Sequence, residues 1–228
     1  MNRRKFIYSS SLASLSVMGL NSCNIRNKDV KITILHTNDV HSQIEPFPFN
    51  HDKYPDRGGF ARRANIFKGL LKINPNTLIF DAGDIFQGTP YFNFFQGDLE
   101  LKLMKKMGYN AATIGNHEFD AGLNRLKKNI LNNNFQFISS NYDFTNTELE
   151  GLISKYKIYK KEGIKIGVFG LGIELNGLVN SSLYKETKYY DPVEITQEMT
   201  DILKNKENCD LIICISHLGH SYQNTKIS

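Results

Sequence analysis

Short apolar runs alternate along the chain with longer segments in which apolar residues recur every three or four positions. The short runs predict buried strands at residues 31–35, 77–80, 110–114, 164–171 and 210–215, with a further short buried segment at 135–138. The longer segments predict amphipathic helices at 60–73, 99–107, 123–131 and 193–203. Such alternation predicts an α/β fold with a mostly parallel or mixed sheet covered by helices. The polar, irregular segment 142–162 is predicted to be an excursion between layers, such as a hairpin.

The first 22 residues predict an export signal. Paired arginines at positions 3 and 4 begin a basic segment, and the apolar stretch at 10–20 is too short to cross a bilayer as a helix. The arginines followed by Phe6 resemble a twin-arginine signal, and Leu-Asn-Ser-Cys ending at Cys23 resembles a bacterial lipobox. We therefore expect a lipid on Cys23, a short tether at 23–29, a domain at 30–228 and a periplasmic or cell-surface location. The alternative is an ordinary secretory signal with an incidental cysteine.

Composition and charge are those of a folded domain with a small-molecule substrate. The 228 residues are 40% hydrophobic and 22% charged, which excludes a disordered or fibrous chain. The formal net charge is +5, but three of the basic residues lie at positions 3–5, inside the predicted signal. Since no long basic run occurs elsewhere, the sequence does not predict binding to duplex nucleic acid.

Residues that can bind metals or transfer protons follow four of the predicted strands. They lie in His-Thr-Asn-Asp-Val-His at 36–41, Asp-Ala-Gly-Asp at 81–84, Gly-Asn-His-Glu at 115–118 and Ser-His-Leu-Gly at 216–219. Open α/β sheets bind ligands at the carboxyl ends of their strands. Each motif alone occurs by chance or as an ordinary turn, but their order after successive apolar runs is specific and predicts one shared site.

In this order the motifs resemble those of the calcineurin-like metallophosphoesterases, and within them the 5′-nucleotidase branch. The resemblance also includes Arg-Gly-Gly-Phe-Ala-Arg at 57–62, Phe-Gln-Gly-Thr-Pro at 86–90 and the extension of the third motif to Phe119 and Asp120. It covers most of the chain from about Ile32. It implies a four-layer α/β/β/α sandwich, two divalent metal ions and hydrolysis of nucleotides to nucleoside and phosphate.

The resemblance also implies a set of metal ligands. By carry-over, Asp39 and His41 hold one ion, Asp84 bridges both ions, and Asn116 and His217 hold the other. Oxygen and imidazole ligands suit Mn²⁺, Zn²⁺, Fe or Co²⁺ better than Ca²⁺.

Three further residues have implied or candidate roles in the chemistry. The family counterpart of His117 stabilises the phosphoryl charge and protonates the leaving alkoxide, and Asp120 resembles the carboxylate that orients this imidazole. The alternative for Asp120 is a helix N-cap. Arg57 is a candidate phosphate-binding residue, or it only braces the loop before the first helix.

The chain departs from the family pattern after His217. The resemblance implies a later Gly-Gly-His-x-His or Gly-Gly-His-x-Gln motif that completes both metal sites, and in two-domain nucleotidases a further domain that stacks the nucleobase. The sequence ends at Ser228 without either. We therefore expect a fragment or truncated product, a sandwich incomplete at its C-terminus, and little activity at ordinary metal concentrations.

Two classes of alternative function stay open. The first is another phosphohydrolase of the same superfamily, such as a 2′,3′-cyclic-nucleotide phosphodiesterase or a nucleotide-sugar hydrolase. The second is a truncated, non-catalytic lipoprotein that binds phosphorylated ligands without turnover.

Overall fold

A computed structural model describes residues 29–219 and the backbone of residues 222–223 and 226–227. The predicted export signal at 1–22, Cys23 and the tether up to residue 28 lie outside the described residues. The compact unit that contains the strands and helices begins at Ile32. Among the described helices, none combines the length and the apolar character needed to span a bilayer.

The first sheet has three parallel strands in the order β1-β2-β3. They are β1 (Thr33–Thr37), β2 (Thr77–Asp81) and β3 (Ala111–Ala112), and Leu35 pairs with Ile79 in their register. The helices that follow these strands are α1 (Phe60–Ile73), α2 (Pro90–Phe95), α3 (Asp98–Met107) and α4 (Gly122–Asn133), with a 3₁₀ helix at His117–Phe119 before α4. The predicted strand–helix alternation is confirmed here. The short helix α2, which begins at Pro90, is an addition to the prediction.

The second sheet has the order β5-β6-β8 and is mixed. Its strands are β5 (Tyr156–Lys161), β6 (Ile164–Gly172) and β8 (Leu211–His217); β5 is antiparallel to β6, and β8 is parallel to β6. Helix α6 (Pro192–Asp201) and a π-helical turn (Ile202–Lys206) lie between β6 and β8 in the chain. The shorter elements are β4 (Tyr142–Asp143), α5 (Ser181–Tyr184), β7 (Lys188–Tyr189), β9 (Tyr222–Gln223) and β10 (Lys226–Ile227).

Only the end of the polar segment 142–162 belongs to a hairpin, which β5 forms with β6. Lys161 pairs with Ile164 across Glu162 and Gly163, and both turn residues have left-handed φ values of 48° and 86°. Two positive φ values are the signature of the tight turn that best matches the twist of antiparallel strands. The pattern of apolar residues did not predict strand β5, because half of its residues are lysines.

Buried side chains form three clusters that separate four layers. Along β2, Ile79 packs among the helices that cover the first sheet, while Leu78 and Phe80 point to the opposite face and contact the second sheet. The layer between the two sheets also contains Ala111, Ile138, Ile166, Val168 and Ile215. The outer face of the second sheet packs against α6 and the π-helical turn through Phe169, Leu171, Ile195, Met199 and Leu203. This arrangement is the predicted α/β/β/α sandwich.

Candidate metal centre

The loops after β1 and β2 are tied together by backbone hydrogen bonds. The amide of Asp39 donates to the carbonyl of Gly83 at 3.0 Å, and the amide of His41 donates to the carbonyl of Asp84 at 3.1 Å. The two loops therefore continue side by side beyond the parallel strands. This pairing brings Asp39 and His41 next to Asp84.

Three candidate ligands on these loops have a left-handed backbone although none is glycine. The φ values are 49° for Asp39, 43° for His41 and 53° for Asp84. This conformation costs a non-glycine residue about 1 kcal/mol or more, and it persists where the surrounding contacts hold it. Such backbone torsions cluster at functional sites.

Asp84 lies at the centre of the site. Its Oδ2 atom is 3.2 Å from Nε2 of His217 and 3.9 Å from Nε2 of His41, which is itself 3.9 Å from Oδ1 of Asp39. Its Oδ1 atom accepts a hydrogen bond from the backbone amide of His117 at 2.9 Å. The carboxylate is almost completely buried, so the side chains around it determine its chemistry.

Among the described residues, potential ligand atoms form two groups, and Asp84 belongs to both. One group contains His41, Asp84 and His117, and the other contains Asp39, Asp84 and His217; within each group the atoms lie within 4.8 Å of one another. Two ligand atoms that each lie about 2.1 Å from one cation are at most about 4.2 Å apart, so small side-chain rotations would let each group share a cation. Carboxylate oxygens together with imidazole nitrogens are the donor set of Mn²⁺, Zn²⁺, Fe²⁺ and Co²⁺, so the residues present fit a pair of divalent ions.

The resemblance implies that Asp39 and His41 share an ion; their ligand atoms lie 3.9 Å apart, and this pairing stays a prediction. Asn116, the fifth expected ligand, lines a cavity of about 790 Å³ together with Asp39, Asp84 and His217. The five expected ligands therefore come from the ends of four strands and meet at one place.

His217 and Asp84 form a mostly buried ion pair. Nδ1 of His217 donates to the carbonyl of Ala82 at 2.8 Å, which leaves Nε2 to face Asp84. Burial acts to lower the pKa of His217, but the hydrogen bond and the charge of Asp84 outweigh burial and raise this pKa to about 9. Burial likewise acts to raise the pKa of Asp84, but the hydrogen bond and charge of His217 bring it below its ordinary value.

His117 and Asp120 form a hydrogen-bonded pair beside these groups. Nδ1 of His117 lies 2.7 Å from Oδ2 of Asp120, and the His117 ring makes an edge contact with the His41 ring at a centroid distance of 5.1 Å. A carboxylate at Nδ1 favours the tautomer that carries its proton there. The N-cap position of α4 is Ala121, so the geometry supports the orienting role of Asp120 over the capping alternative.

Arg57 lies in the loop before α1. Its side chain is exposed and does not line the cavity that contains Asp84, while its carbonyl accepts a hydrogen bond from the amide of Phe47. The backbone of Arg57 thus braces the loop before α1. Phosphate binding by its side chain stays a prediction.

Two buried carboxylates behind the site had no role in the sequence analysis. Glu118 accepts hydrogen bonds from backbone amides of two loops, and Asp81 accepts one from the amide of Gly83 and one from the hydroxyl of Thr37. Burial is the main cause that raises the pKa of each to about 7. Both residues stand inside the quoted motifs, but a motif does not show which of its carboxylates face inward.

Comparison with known proteins agrees with the fold. The family model for calcineurin-like phosphoesterases matches residues 32–227. A 5′-nucleotidase of Vibrio cholerae is 36% identical over 202 residues, covering 87% of this chain and 35% of the relative. A snake venom 5′-nucleotidase of Gloydius brevicauda is also 36% identical, covering 83% of this chain and 33% of the relative.

Solved structures of 5′-nucleotidases and related enzymes have a similar fold. A 5′-nucleotidase precursor from Thermus thermophilus superposes with a TM-score of 0.76 at 32% identity, covering 82% of this chain and 37% of that one. The NAD nucleotidase of Haemophilus influenzae superposes with a TM-score of 0.75 at 34% identity, covering 83% and 39%. The chain thus spans about a third of the length of the curated relatives it matches. Because the family model matches residues 32–227 and the fold and strand-end motifs agree with it, the chain belongs to the calcineurin-like phosphoesterase family.

Proposed function

We propose that the chain carries the catalytic site of a dinuclear, divalent-metal-dependent phosphoester hydrolase that converts 5′-nucleotides to nucleosides and phosphate. The observation that carries this proposal is the position of Asp84, whose buried carboxylate belongs to both groups of potential ligand atoms. A shared carboxylate is what two closely spaced cations require.

The ligands of the proposed ions are Asp39, His41, Asp84, Asn116 and His217. When bound, a pair of divalent ions supplies an activated water and neutralises negative charge on the phosphoryl oxygens. Because His217 is held by the carbonyl of Ala82, it can present only Nε2 to the cavity. Oδ1 of Asp84 accepts a hydrogen bond from the amide of His117, and Oδ2 lies 3.2 Å from Nε2 of His217. These two contacts fix the orientation of the carboxylate.

His117 is the proposed proton donor to the leaving alkoxide. With Asp120 at its Nδ1 atom, the imidazole can become cationic without losing its orientation, because the carboxylate stabilises the charge. A cationic ring at this place would also stabilise charge on the phosphoryl group.

A nucleotide substrate is supported by the relatives and not by the chain's own contacts. The matched proteins are named 5′-nucleotidases, and one solved relative is named a NAD nucleotidase. The NAD nucleotidase supports a second candidate function. In this alternative, the hydrolase acts on a larger nucleotide with a phosphoanhydride or a second substituent on its phosphate.

The test is phosphate release from 5′-AMP at millimolar Mn²⁺. We expect release that disappears with EDTA and with Asp84→Asn, which keeps the size of the side chain but removes the shared charge. The same assay with a dinucleotide tests the second candidate. Metal-independent release, or full activity of Asp84→Asn, would contradict the proposal.

We further propose that the protein is exported and anchored to a membrane through a lipid on Cys23. The support is the sequence of residues 1–23 alone. Growth of a bacterial host with radioactive palmitate should label the protein, and Cys23→Ser should abolish the label and release the protein from the membrane fraction. An unlabelled protein that is still cleaved after residue 22 or nearby would instead indicate an ordinary secretory signal.

A further inference from the structure

Glu118 lies among the candidate ligands in the sequence but does not face the cavity with them. It belongs to the short 3₁₀ helix that follows Asn116, its side chain is 0% exposed, and it does not line the cavity that contains Asp84 and His217. A substrate in that cavity therefore does not touch this carboxylate. Its contacts are with the backbone behind the site.

Both oxygens of Glu118 accept hydrogen bonds from backbone amides of two different loops. Oε2 accepts from the amide of Asp84 at 2.9 Å and from the amide of Gly115 at 2.6 Å, while Oε1 accepts from the amide of Ile85 at 2.7 Å. The loop after β2 contains Asp84 and Ile85, and the loop after β3 contains Gly115. One side chain therefore joins the loop that presents Asp84 to the loop that presents Asn116.

A reciprocal bond completes this connection. Oδ1 of Asp84 accepts from the amide of His117, so each loop donates a backbone hydrogen bond to a carboxylate of the other. The loops are also in direct contact, since a Cβ atom built on Gly115 would collide with Oδ1 of Asp84. The distance between Asp84 and Asn116 is thus determined by the contact of the loops and by the carboxylate that clamps them.

Burial alone does not give a glutamate three backbone amide partners, as a second fully buried glutamate shows. Glu100 on α3 accepts a hydrogen bond from the hydroxyl of Ser42, and its Oε2 atom has no hydrogen-bond partner among the described residues. Amide bonds to a carboxylate are charge-assisted and stronger than bonds between neutral groups. With three of them, Glu118 can also hold the left-handed backbone of Asp84.

We propose that Glu118 is a positioning residue that fixes the separation of Asp84 and Asn116, so that two divalent ions bind as a close pair. The inference rests on the proposed function, because it assigns the same residues to the ions. Glu118 acts through the backbone amides of Asp84, Ile85 and Gly115 and touches neither ion nor substrate.

The experiment measures Mn²⁺ binding by the full chain and by Glu118→Gln, with calorimetry for the affinities and electron paramagnetic resonance for the coupling between the two ions. The glutamine keeps the shape of the side chain but replaces one acceptor oxygen with an amide donor. We expect affinity for the second ion to fall at least about tenfold and the signal of the coupled pair to disappear. Where phosphate release is measurable, kcat should fall more than KM rises.

The matched control is Leu203→Ala, which truncates a buried side chain of the π-helical turn in the outer cluster, where no residue of either loop lies. It should lower the melting temperature and leave the coupled Mn²⁺ signal in place. If it removes that signal as Glu118→Gln does, the effect is general destabilisation and the positioning role is refuted. Intact binding by the unmodified chain together with unchanged binding by Glu118→Gln would also refute this role alone.

A measurement on the unmodified chain needs no variant. In metal-free protein, the amides of Asp84, Ile85 and Gly115 should exchange with deuterium slowly, as expected for amides bonded to a buried carboxylate. Exchange at unprotected rates would overturn the role of Glu118. Absence of any Mn²⁺ binding by the unmodified chain would overturn the proposed function and this role with it.

Discussion

Single side chains at the strand ends serve two different purposes. Asp39, Asp84 and His217 present ligand atoms to the cavity, whereas Asp81 and Glu118 accept hydrogen bonds from the backbone behind it. The first kind determines what the site can bind. The second kind determines where those ligands lie, and each kind can be tested by substitutions that keep the size of the side chain.

The orienting role of Asp120 predicts a catalytic defect with little change in binding. In Asp120→Asn the amide group can donate to Nδ1 of His117, which favours the opposite tautomer and leaves the imidazolium without its counter-charge. We expect kcat for 5′-AMP with Mn²⁺ to fall about 10- to 100-fold with KM nearly unchanged. The matched control is Asp191→Asn, because asparagine caps helix α6 as well as aspartate does. An unchanged kcat for Asp120→Asn would contradict the orienting role.

Asp81 predicts a dependence of stability on pH. Burial raises its pKa from 3.8 to about 7, so between these values the folded chain holds a proton that the unfolded chain has lost. The free energy of unfolding therefore decreases as pH rises from about 4 to about 7, by about 4 kcal/mol at most from this residue. Asp81→Asn should lose this part of the dependence, as measured by urea unfolding with EDTA at both ends of the range. Equal pH dependence of the two proteins would show that Asp81 is ionised in the fold.

The sequence predicted the candidate ligands better than their supports. Strand ends and motif order predicted one shared site, and the family resemblance then implied Asp84 and Asn116 as ligands. Asp81 and Glu118 are the same residue types in the same motifs, and only the packing of β2 and the 3₁₀ helix shows that they point inward. The exposed position of Arg57 likewise depends on the path of a loop, which no periodicity predicts.

At the scale of elements, the pattern of apolar residues predicted strands and helices where they are buried on a continuous face. Strands β1, β2, β6 and β8 and helices α1, α3 and α4 agree with the prediction to within a few residues. Strand β5 was not separated from its polar surroundings, because half of its residues are lysines and they show no regular alternation. The predicted strand at 110–114 is reduced to β3, although Ala112 also bridges to Phe137.

A pair of glycine substitutions tests how tightly the elements are packed. A Cβ atom on Gly170 of β6 would collide with the carbonyl oxygen of Ile138, whereas one on Gly69 of helix α1 meets no atom within 4 Å. Gly170→Ala should therefore lower the free energy of unfolding by about 1–3 kcal/mol. Gly69→Ala should raise it by roughly 0.5–1 kcal/mol, because alanine favours the helix. Chemical denaturation measures both, and a stable Gly170→Ala would show that the two backbones can separate at no cost.

At the scale of the whole molecule, the two sheets are joined by direct contacts as well as by the apolar layer between them. The Tyr159 ring of β5 packs edge-on against Phe80 of β2 at a centroid distance of 5.6 Å, and its hydroxyl donates to the carbonyl of Asn110 at 3.2 Å. Burial raises the pKa of Tyr159 to about 12, so the hydroxyl stays a donor at physiological pH. Contacts of this kind connect the strands that present Asp84 to the sheet that presents His217.

A double-mutant cycle measures this connection. Phe80→Leu and Tyr159→Leu together should destabilise the protein less than the sum of the single changes, with a coupling of about 0.5–1.5 kcal/mol. The control cycle pairs Phe80→Leu with Leu203→Ala, which lies in the outer cluster beneath α6. That pair should be additive within about 0.5 kcal/mol. Additivity in the first cycle would mean that the ring contact does not couple the sheets.

The left-handed backbone at Asp39, His41 and Asp84 lowers the heat resistance of the protein at positions that carry candidate ligands. Glycine adopts this conformation freely, so glycine at any of the three positions would relax the loop while deleting a candidate ligand. A library of variants ranked by heat resistance alone would therefore accumulate inactive members. Directed evolution for the proposed hydrolysis needs a selection for turnover in every round.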